Sequence, residues 1–184
     1  MKLVNTPIKD LFIIEPTILG DSRGYFFESF NQKKFDDYGL KYNFVQDNES
    51  KSSFGVLRGL HYQLGPHSQA KLVRVIKGSV YDVAVDLRIG SPTYSQWFGV
   101  ELNEENKKQF LIPKGFAHGF VVLSEEAVFQ YKCDEFYHPE CESGIIFNDP
   151  TINIDWKLEE KDIHLSKKDS ELPLFTKSEH NFIF

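Results

Sequence analysis

The sequence predicts an all-β protein, a jelly-roll β-barrel with a few short helices near the termini. One observation is a series of short segments in which apolar and polar residues alternate, as they do in strands with one face in a core. Another is the sequence between these segments, which is rich in the Gly, Pro, Asn and Asp residues that form turns. Many short strands joined by such turns are typical of an antiparallel sandwich or barrel.

The expected strands follow one another along the whole chain, and turn sequences separate them. In chain order they are LFIIEPTIL, GYFFESF, GVLRGLHYQ, KLVRVIKG, VYDVAVDLRIG, QWFGVEL, QFLIP, AHGFVVLS, AVFQYKC and SGIIFND. The turns between or after them are GDSRG, IKGS, IGSPT, NEENK, PKGF and NDPT. NQKKFDDYG favours a short helix, and EEKDIHLSKKD favours a second one near the C-terminus. No repeat, low-complexity tract or linker interrupts the pattern, so we expect one domain over residues 1–184.

Composition and charge exclude several classes of function. The chain has 184 residues and a net charge of −6, which argues against a nucleic-acid partner because such proteins usually carry a basic surface. No segment approaches the roughly 18 apolar residues of a membrane span, and the N-terminus does not have the pattern of a signal peptide. Two cysteines, Cys133 and Cys141, fit a reduced protein and match no zinc pattern. We therefore expect a soluble, cytoplasmic protein.

Three polar residues lie on strand faces that could meet inside a barrel. Alternation places Lys71 on one face of KLVRVI, His61 on one face of GVLRGLHYQ and Tyr131 on one face of AVFQYKC. If these faces line the interior, the three side chains converge. Arg58 lies on the face opposite His61, so both can reach one pocket only if the strand has a bulge or bend near Gly59.

A second histidine lies in PKGFAHGF, which matches the P-x-G-x-x-H pattern of the second cupin motif and suggests a cupin-type barrel with His118 near its mouth. Metal-binding cupins complete their site with H-x-H and a following Glu. Here the corresponding stretch is His61-Tyr62-Gln63, and no carboxylate follows in HSQAKLVR. Two histidines are too few for a transition-metal site, where three protein ligands are usual. We expect no metal.

Together these segments resemble the dTDP-4-dehydrorhamnose 3,5-epimerase family over nearly the full chain. The resemblance runs through DSRGYFFESF, FVQDNES, GVLRGLHYQ, QAKLVRVIKGSVYDVAVDLRIGSPTY, IPKGFAHGFVVLS, YKCDEFYHPECESGIIFNDP and LSKKD. It does not inform the tail from Ser170 to Phe184. The resemblance implies an enzyme that inverts C3 and C5 of dTDP-4-dehydro-6-deoxy-D-glucose by proton transfer, without a cofactor, in the synthesis of dTDP-L-rhamnose for polysaccharides.

The resemblance also assigns catalytic roles. It implies that His61 is the base and that Asp169 is the carboxylate paired with it. It implies that Lys71 stabilises negative charge on the sugar ketone oxygen, and that Tyr131 is the acid on the opposite face of the sugar. Such chemistry needs a base, an acid and charge stabilisation for the enolate.

The remaining implied contacts are with the nucleotide sugar, and they include residues from both ends of the chain. They are Arg23, Arg58 and Lys168 for the pyrophosphate, Gln46 and Asn48 for the nucleotide, Phe26 and Glu28 for the thymine, and His118 and Glu142 for the sugar and nucleotide region. The resemblance further implies a homodimer whose N-terminal strands cross to the partner, so Arg23, Phe26 and Glu28 could serve either subunit's site.

Three alternatives remain open from the sequence. The nearest is a related epimerase that inverts a single centre or acts on another nucleotide-ketosugar. The others are a metal-dependent cupin oxygenase and a sugar-binding cupin without activity. A complete acid–base set argues against the last, because a binding protein does not need a tyrosine that faces a histidine–aspartate pair.

Overall fold

The computed structural model describes residues 1–184, and most of its regular structure is β-strand. The strands are β1 (Lys2–Asn5), β2 (Phe12–Glu15), β3 (Leu19–Asp21), β4 (Gly24–Phe26), β5 (Gln46–Ser53), β6 (Leu57–Gln63), β7 (Lys71–Lys77), β8 (Ser79–Asp86), β9 (Trp97–Asn103), β10 (Gln109–Ile112), β11 (Phe116–Val122), β12 (Glu126–Cys133) and β13 (Glu142–Gly144). The helices are α1 (Gln32–Asp37) and α2 (Lys167–Ser170), with 3-10 turns at Gly65–His67, Pro139–Cys141, Glu160–Asp162 and Phe175–Lys177. None of the helices is long and apolar enough to cross a lipid bilayer.

Two antiparallel sheets form the barrel. One contains six strands in the order β1-β2-β10-β7-β12-β5, and the other contains five in the order β13-β6-β11-β8-β9. Between them lies a core to which both sheets contribute, with Val73 and Phe129 from the first and Ala84 and Phe120 from the second. This arrangement confirms the predicted all-β, cupin-like jelly roll. The short hairpin β3–β4 pairs with neither sheet.

The outer faces of the sheets are covered by the connecting segments. Phe35 of α1 packs with Leu72 and Leu111 on the six-stranded sheet. The segment that follows β13 covers the five-stranded sheet, where Trp156 and Phe182 join a second apolar cluster. The tail from Ser170 to Phe184, on which the resemblance was silent, is therefore part of the packed fold.

The structure departs from the predicted elements where the apolar pattern is a poor guide. Strands β1 and β5 were not predicted. The sequence of β5 is QDNESKSS, and its pairing with β12 along all eight residues, rather than apolar alternation, makes it a strand. Pro16, which lacks a backbone N–H, separates β2 from β3 within LFIIEPTIL. The predicted helix EEKDIHLSKKD is instead a 3-10 turn and α2, with His164 between them bridged to Val56.

Strand β6 has the irregularity that the sequence required. Its pairing with β11 shifts register between the His118–His61 pair and the Phe120–Arg58 pair. Gly59 lies at this point with a φ of 123°, and a Cβ atom there would lie 2.5 Å from Cα of Gly119 on β11. Glycine is thus required for the approach of two strands, and the predicted bulge is confirmed.

Candidate active site

A cavity of about 300 Å³ opens between the two sheets. Most of its lining residues are polar, although the strands that carry them also contribute apolar residues to the core. The lining residues are Asn48, Glu49, Ser50, Arg58, His61, Lys71, His118, Phe120, Phe129, Tyr131, Ser166, Lys168 and Asp169. The three residues that the strand faces suggested, His61, Lys71 and Tyr131, all lie on this cavity.

His61 of β6 and Asp169 of α2 form a close polar contact in the cavity. Nε2 of His61 lies 2.6 Å from Oδ1 of Asp169. The other carboxylate oxygen accepts a hydrogen bond of 2.7 Å from the hydroxyl of Ser166, whose own oxygen accepts from the backbone N–H of Asp169. Burial opposes the charge on Asp169, but the hydrogen bonds from His61 and Ser166 outweigh it and lower the pKa of Asp169. Asp169 is therefore an anion at neutral pH.

This pairing determines which nitrogen of His61 can act as a base. A carboxylate accepts but does not donate, so the ring proton is held on Nε2. The lone pair of the neutral ring is then on Nδ1, which has no hydrogen-bond partner in the protein. His61 thus presents an unpaired basic nitrogen, while the charge that would form on protonation lies against Asp169.

Lys71 of β7 and Tyr131 of β12 lie on the six-stranded sheet, across the cavity from His61. Nζ of Lys71 lies 5.9 Å from the centre of the Tyr131 ring. Removal from water lowers the pKa of Lys71 and raises the pKa of Tyr131. The hydroxyl of Tyr131 and the amine of Lys71 thus face the imidazole of His61 across one cavity.

His118 of β11 forms a second histidine–carboxylate pair with Asp82 of β8. Nε2 of His118 lies 3.0 and 3.1 Å from the two oxygens of Asp82, and both side chains are buried. Burial lowers the pKa of His118 and raises that of Asp82, and the attraction between the two side chains opposes both shifts. This pair is more deeply buried than His61 and lies close to Lys71.

Cations and amides line the entrance to the cavity. Arg58 is exposed, donates from Nε to the hydroxyl of Ser52 at 3.1 Å, and has no carboxylate partner, so the rest of its guanidinium is free to bind an anion. Lys168 pairs with Glu142 at 2.5 Å. Asn48 lies directly opposite Tyr131 in the β5–β12 pairing. Of the predicted binding residues, Asn48, Arg58, His118 and Lys168 line the cavity.

Two further predicted residues lie beside the cavity rather than on it. Glu142 accepts hydrogen bonds from Lys168 and from the hydroxyl of Tyr137, and these outweigh its burial and lower its pKa. Gln46 donates to Asn48 at 3.1 Å and accepts from the backbone of Tyr137. Both side chains therefore support neighbours that reach the ligand space.

The three predicted N-terminal residues do not line the cavity of their own chain. Arg23 and Phe26 lie on the β3–β4 hairpin, where Arg23 pairs with Asp21 and the Phe26 side chain is 66% exposed. Glu28 pairs with Lys34 of α1. A single chain thus holds the four predicted catalytic residues on one cavity but leaves these three residues away from it.

Sequence reasoning missed two residues that orient the site, although each had a signal. Ser166 begins α2 in the pattern S-x-x-D, which is close to the capping box S-x-x-E. Asp82 is a carboxylate within VYDVAV, a run otherwise suited to a core, and a buried carboxylate requires a partner.

A jelly-roll barrel of the cupin type, with a base, an acid and a cation around one cavity, defines a class of acid–base enzymes. The profile of the dTDP-4-dehydrorhamnose 3,5-epimerase family matches residues 5–177, and the chain belongs to that family. The structure is similar to that of the dTDP-4-dehydrorhamnose 3,5-epimerase from Elizabethkingia anophelis NUHP1. The TM-score is 0.92 at 60% identity, and the match covers 96% of this chain and 97% of that one.

Two further relatives agree with this membership. The dTDP-6-deoxy-D-glucose-3,5-epimerase from Legionella pneumophila Philadelphia 1, solved in complex with dTDP-4-keto-L-rhamnose, has a TM-score of 0.92 at 55% identity over 96% of this chain and 93% of that one. The dTDP-4-dehydrorhamnose 3,5-epimerase of Shigella flexneri is 55% identical over 173 residues, which are 91% of this chain and 96% of the relative.

Proposed function

We propose that this protein is a dTDP-4-dehydrorhamnose 3,5-epimerase, an isomerase that converts dTDP-4-dehydro-6-deoxy-D-glucose into dTDP-4-dehydro-L-rhamnose. The observation that carries the proposal is the His61–Asp169 pair in a cavity whose opposite wall holds Tyr131 and Lys71. The product of this reaction is also the compound bound to the Legionella relative.

The proposed reaction removes a proton on one face of the sugar and returns one on the other. C3 and C5 both flank the C4 ketone, so loss of either proton gives an enolate whose charge lies on O4. Nδ1 of His61 takes the proton as the C–H bond breaks, and Asp169 stabilises the imidazolium that forms. The ammonium of Lys71 stabilises O4.

Tyr131 completes the inversion from the opposite sheet. Its hydroxyl gives a proton to the enolate carbon, and the electron pair on O4 returns to re-form the ketone. Burial raises the pKa of Tyr131, so the hydroxyl keeps its proton until the enolate draws it away. Exchange with solvent then restores the proton of Tyr131 and removes the one on His61, and the same groups serve the second carbon.

Substrate binding in this proposal relies on the cations at the entrance. Arg58 and Lys168 bind the pyrophosphate, with the planar guanidinium of Arg58 suited to two phosphate oxygens. Gln46 and Asn48 contact the nucleotide, while His118 and Glu142 contact the sugar and its surroundings. On a chain of net charge −6, such local cations are needed to hold a dianionic ligand.

A homodimer with exchange of N-terminal strands is part of the proposal. The β3–β4 hairpin exposes Leu19, Tyr25 and Phe26 and pairs with no other strand of its chain. An isolated two-stranded hairpin is marginal in water and gains stability when it pairs with another edge. Its placement in a partner would supply Arg23, Phe26 and Glu28 to the neighbouring cavity, where Phe26 and Glu28 would hold the thymine.

We also infer a cytoplasmic location. Cys133 and Cys141 are both free thiols, which suits a reducing compartment where nucleotide sugars are made. Fractionation of cells that express the native chain tests this inference.

Product analysis tests the proposed function. The purified protein is incubated with dTDP-4-dehydro-6-deoxy-D-glucose and a reductase that consumes the epimerised ketosugar, and the product is examined by NMR. Inversion at both C3 and C5 is expected. Inversion at one carbon would instead identify a single-centre epimerase, and the absence of any inversion would refute the proposal.

A further inference from the structure

Two histidines and a glutamate that the proposed mechanism does not use lie together outside the cavity. His67 ends the 3-10 turn between β6 and β7, and Glu135 and His138 lie on the loop between β12 and β13. One ligand atom from each residue lies within 4.8 Å of those of the other two. The two imidazole rings stack with centres 3.7 Å apart. All three residues are half-buried, and none lines the cavity.

Two amide side chains hold the segments that carry these residues. Gln63, a buried residue of β6, donates to the backbone oxygens of His67 and Phe136 and accepts from the backbone N–H of His138. Gln69 donates to the backbone oxygen of Glu135 at 2.8 Å. Because these bonds fix the backbone at all three residues, the cluster is preorganised and does not depend on a flexible loop.

The hydrogen bonds around the cluster leave ligand atoms free. Nδ1 of His138 lies 3.1 Å from Oε1 of Glu140, and a proton donated there leaves the lone pair on Nε2, the form in which a histidine binds a metal. The ring of His67 makes no hydrogen bond. Oε1 of Glu135 accepts from the backbone of Phe136, which leaves its other oxygen available.

We propose that His67, Glu135 and His138 form a binding site for a divalent transition-metal ion, with Zn²⁺ as the best-fitting common ion. Two imidazoles and one carboxylate are a zinc ligand set, and water completes the tetrahedron. Glu140 orients His138 from outside the ligand set. The ion would join the β6–β7 connection to the loop that carries Tyr137 and leads to Glu142 beside the cavity. Its proposed role is therefore to stabilise that loop and not to take part in proton transfer.

Zinc titration of the untagged, full-length protein tests this proposal. The protein is treated with EDTA, dialysed and titrated with ZnCl₂ in a calorimeter at neutral pH, and one ion per chain is expected to bind. His138→Ala should weaken binding by about 100-fold or more, since losing a ligand costs more than the roughly 10- to 100-fold of losing a ligand's hydrogen-bond partner. Glu140→Gln should weaken it by about 10-fold. His164→Ala is the control: it removes an exposed imidazole outside the cluster and should bind zinc as tightly as the wild type.

Spectroscopy identifies the ligands directly. With Cu²⁺ as the probe, the electron paramagnetic resonance spectrum of the wild type should show two coupled nitrogens, and that of His138→Ala should show one. Thermal melts in EDTA check that each variant is folded. If His138→Ala has a lowered melting temperature, the zinc affinity of Glu140→Gln is the deciding measurement. Absence of zinc binding by the wild type at micromolar concentrations, or unchanged binding by a folded His138→Ala, would overturn the proposal. Both outcomes are measurements of zinc binding and not of epimerase activity, so neither of them would contradict the proposed function.

Discussion

Nε2 of His61 lies 2.6 Å from Oδ1 of Asp169, although 108 positions separate the two residues in the chain. The contact exists because α2 lies against β6, and Ser166 holds the carboxylate by capping α2. In the proposed mechanism Asp169 therefore fixes the ring proton of His61 on Nε2 and leaves Nδ1 to face the sugar. The proposed base thus depends on this pairing and not on the histidine alone.

Asp169→Asn should lower kcat while leaving dTDP affinity nearly unchanged. The amide can donate as well as accept, so the ring proton is no longer confined to Nε2, and the imidazolium loses its counter-charge. A loss of roughly 10²–10⁴-fold in kcat is expected, the upper value being that of the corresponding change in a serine protease. Steady-state kinetics and dTDP binding measure the two quantities, and a variant with wild-type kcat would remove Asp169 from the mechanism.

The same variant has a signature in the pH dependence of stability. The folded-state pKa of Asp169 is lowered, so its ionised form stabilises the fold above the unfolded pKa of about 3.9 and the contribution is lost as the pH falls through the folded pKa. The difference in free energy of unfolding between wild type and Asp169→Asn should therefore shrink in acid. Urea melts at a series of pH values provide this comparison, and a constant difference would contradict the expected pKa.

Arg58→Ala should weaken binding of dTDP without unfolding the domain. Arg58 is exposed and has no ionic partner in the protein, so its removal strands no buried charge. A charge-assisted bidentate contact with phosphate is worth about 1.5–3 kcal/mol, or roughly 10- to 150-fold in Kd. Arg58→Lys keeps the positive charge but loses the planar guanidinium, so its affinity for dTDP should lie between those of the wild type and Arg58→Ala. Lys161→Ala removes a cation away from the cavity and serves as the control in calorimetry.

Mixing two impaired chains tests whether the N-terminal hairpin serves the partner's cavity. His61→Asn lacks the base, and Arg23→Ala lacks a proposed phosphate contact of the hairpin. If the hairpin crosses, one cavity of each mixed dimer receives His61 from one chain and Arg23 from the other. After unfolding and refolding a mixture of equal amounts, roughly a quarter of wild-type sites should be restored, because random pairing in a two-fold dimer makes half the dimers mixed.

A mixture no more active than the sum of its two components would mean that Arg23 acts in its own chain or not at all. Mixing His61→Asn with Asp169→Asn provides a matched control. His61 and Asp169 contact each other within one chain, so each mixed dimer has two damaged cavities and no activity should return.

The sequence predicted the barrel and three residues of the site for a clear physical reason. Period-two alternation fixes which side chains share a strand face, so it allowed His61, Lys71 and Tyr131 to meet inside a barrel, and the structure places all three on one cavity. Together with the role that the resemblance implies for Arg58, alternation also required the bulge near Gly59, because Arg58 and His61 otherwise lie on opposite faces of the strand. Strand alternation is local, and these conclusions needed only local information.

Alternation could not predict contacts between segments that are distant in the sequence. β5 has a polar sequence and is a strand only because β12 lies beside it. Asp169 reads as the end of a surface helix until α2 docks on β6. Arg23 and Phe26 lie on a hairpin whose partner is, in our proposal, another chain, so neither the sequence nor one chain's structure brings them to a cavity.

Prolonged chelation should leave turnover intact. The cavity holds His61 and His118, but Nε2 of each ring is engaged by a carboxylate of the protein, and the proposed steps need only proton transfer. EDTA treatment followed by dialysis is expected to lower the melting temperature if the His67 site held zinc, with kcat unchanged. Loss of turnover that added metal restores would favour the metal-dependent alternative.

The last prediction separates the base from the acid by exchange in heavy water. Wild type should incorporate deuterium at both C3 and C5, since each proton removed is replaced from the protein or solvent. If Nδ1 of His61 serves both carbons, a folded His61→Asn should abolish exchange at both. Tyr131→Phe removes only the donor on the opposite sheet, so His61 can still remove and return protons on its own face.

The two variants should consequently fail at different steps. Tyr131→Phe should show exchange with retained configuration that outlasts the formation of inverted product, whereas His61→Asn should show neither. NMR of the recovered sugar reports deuterium at each carbon and the configuration together. Deuterium uptake by a folded His61→Asn at either carbon would show that another group removes that proton. The mechanism in which His61 is the single base for both carbons would then be wrong.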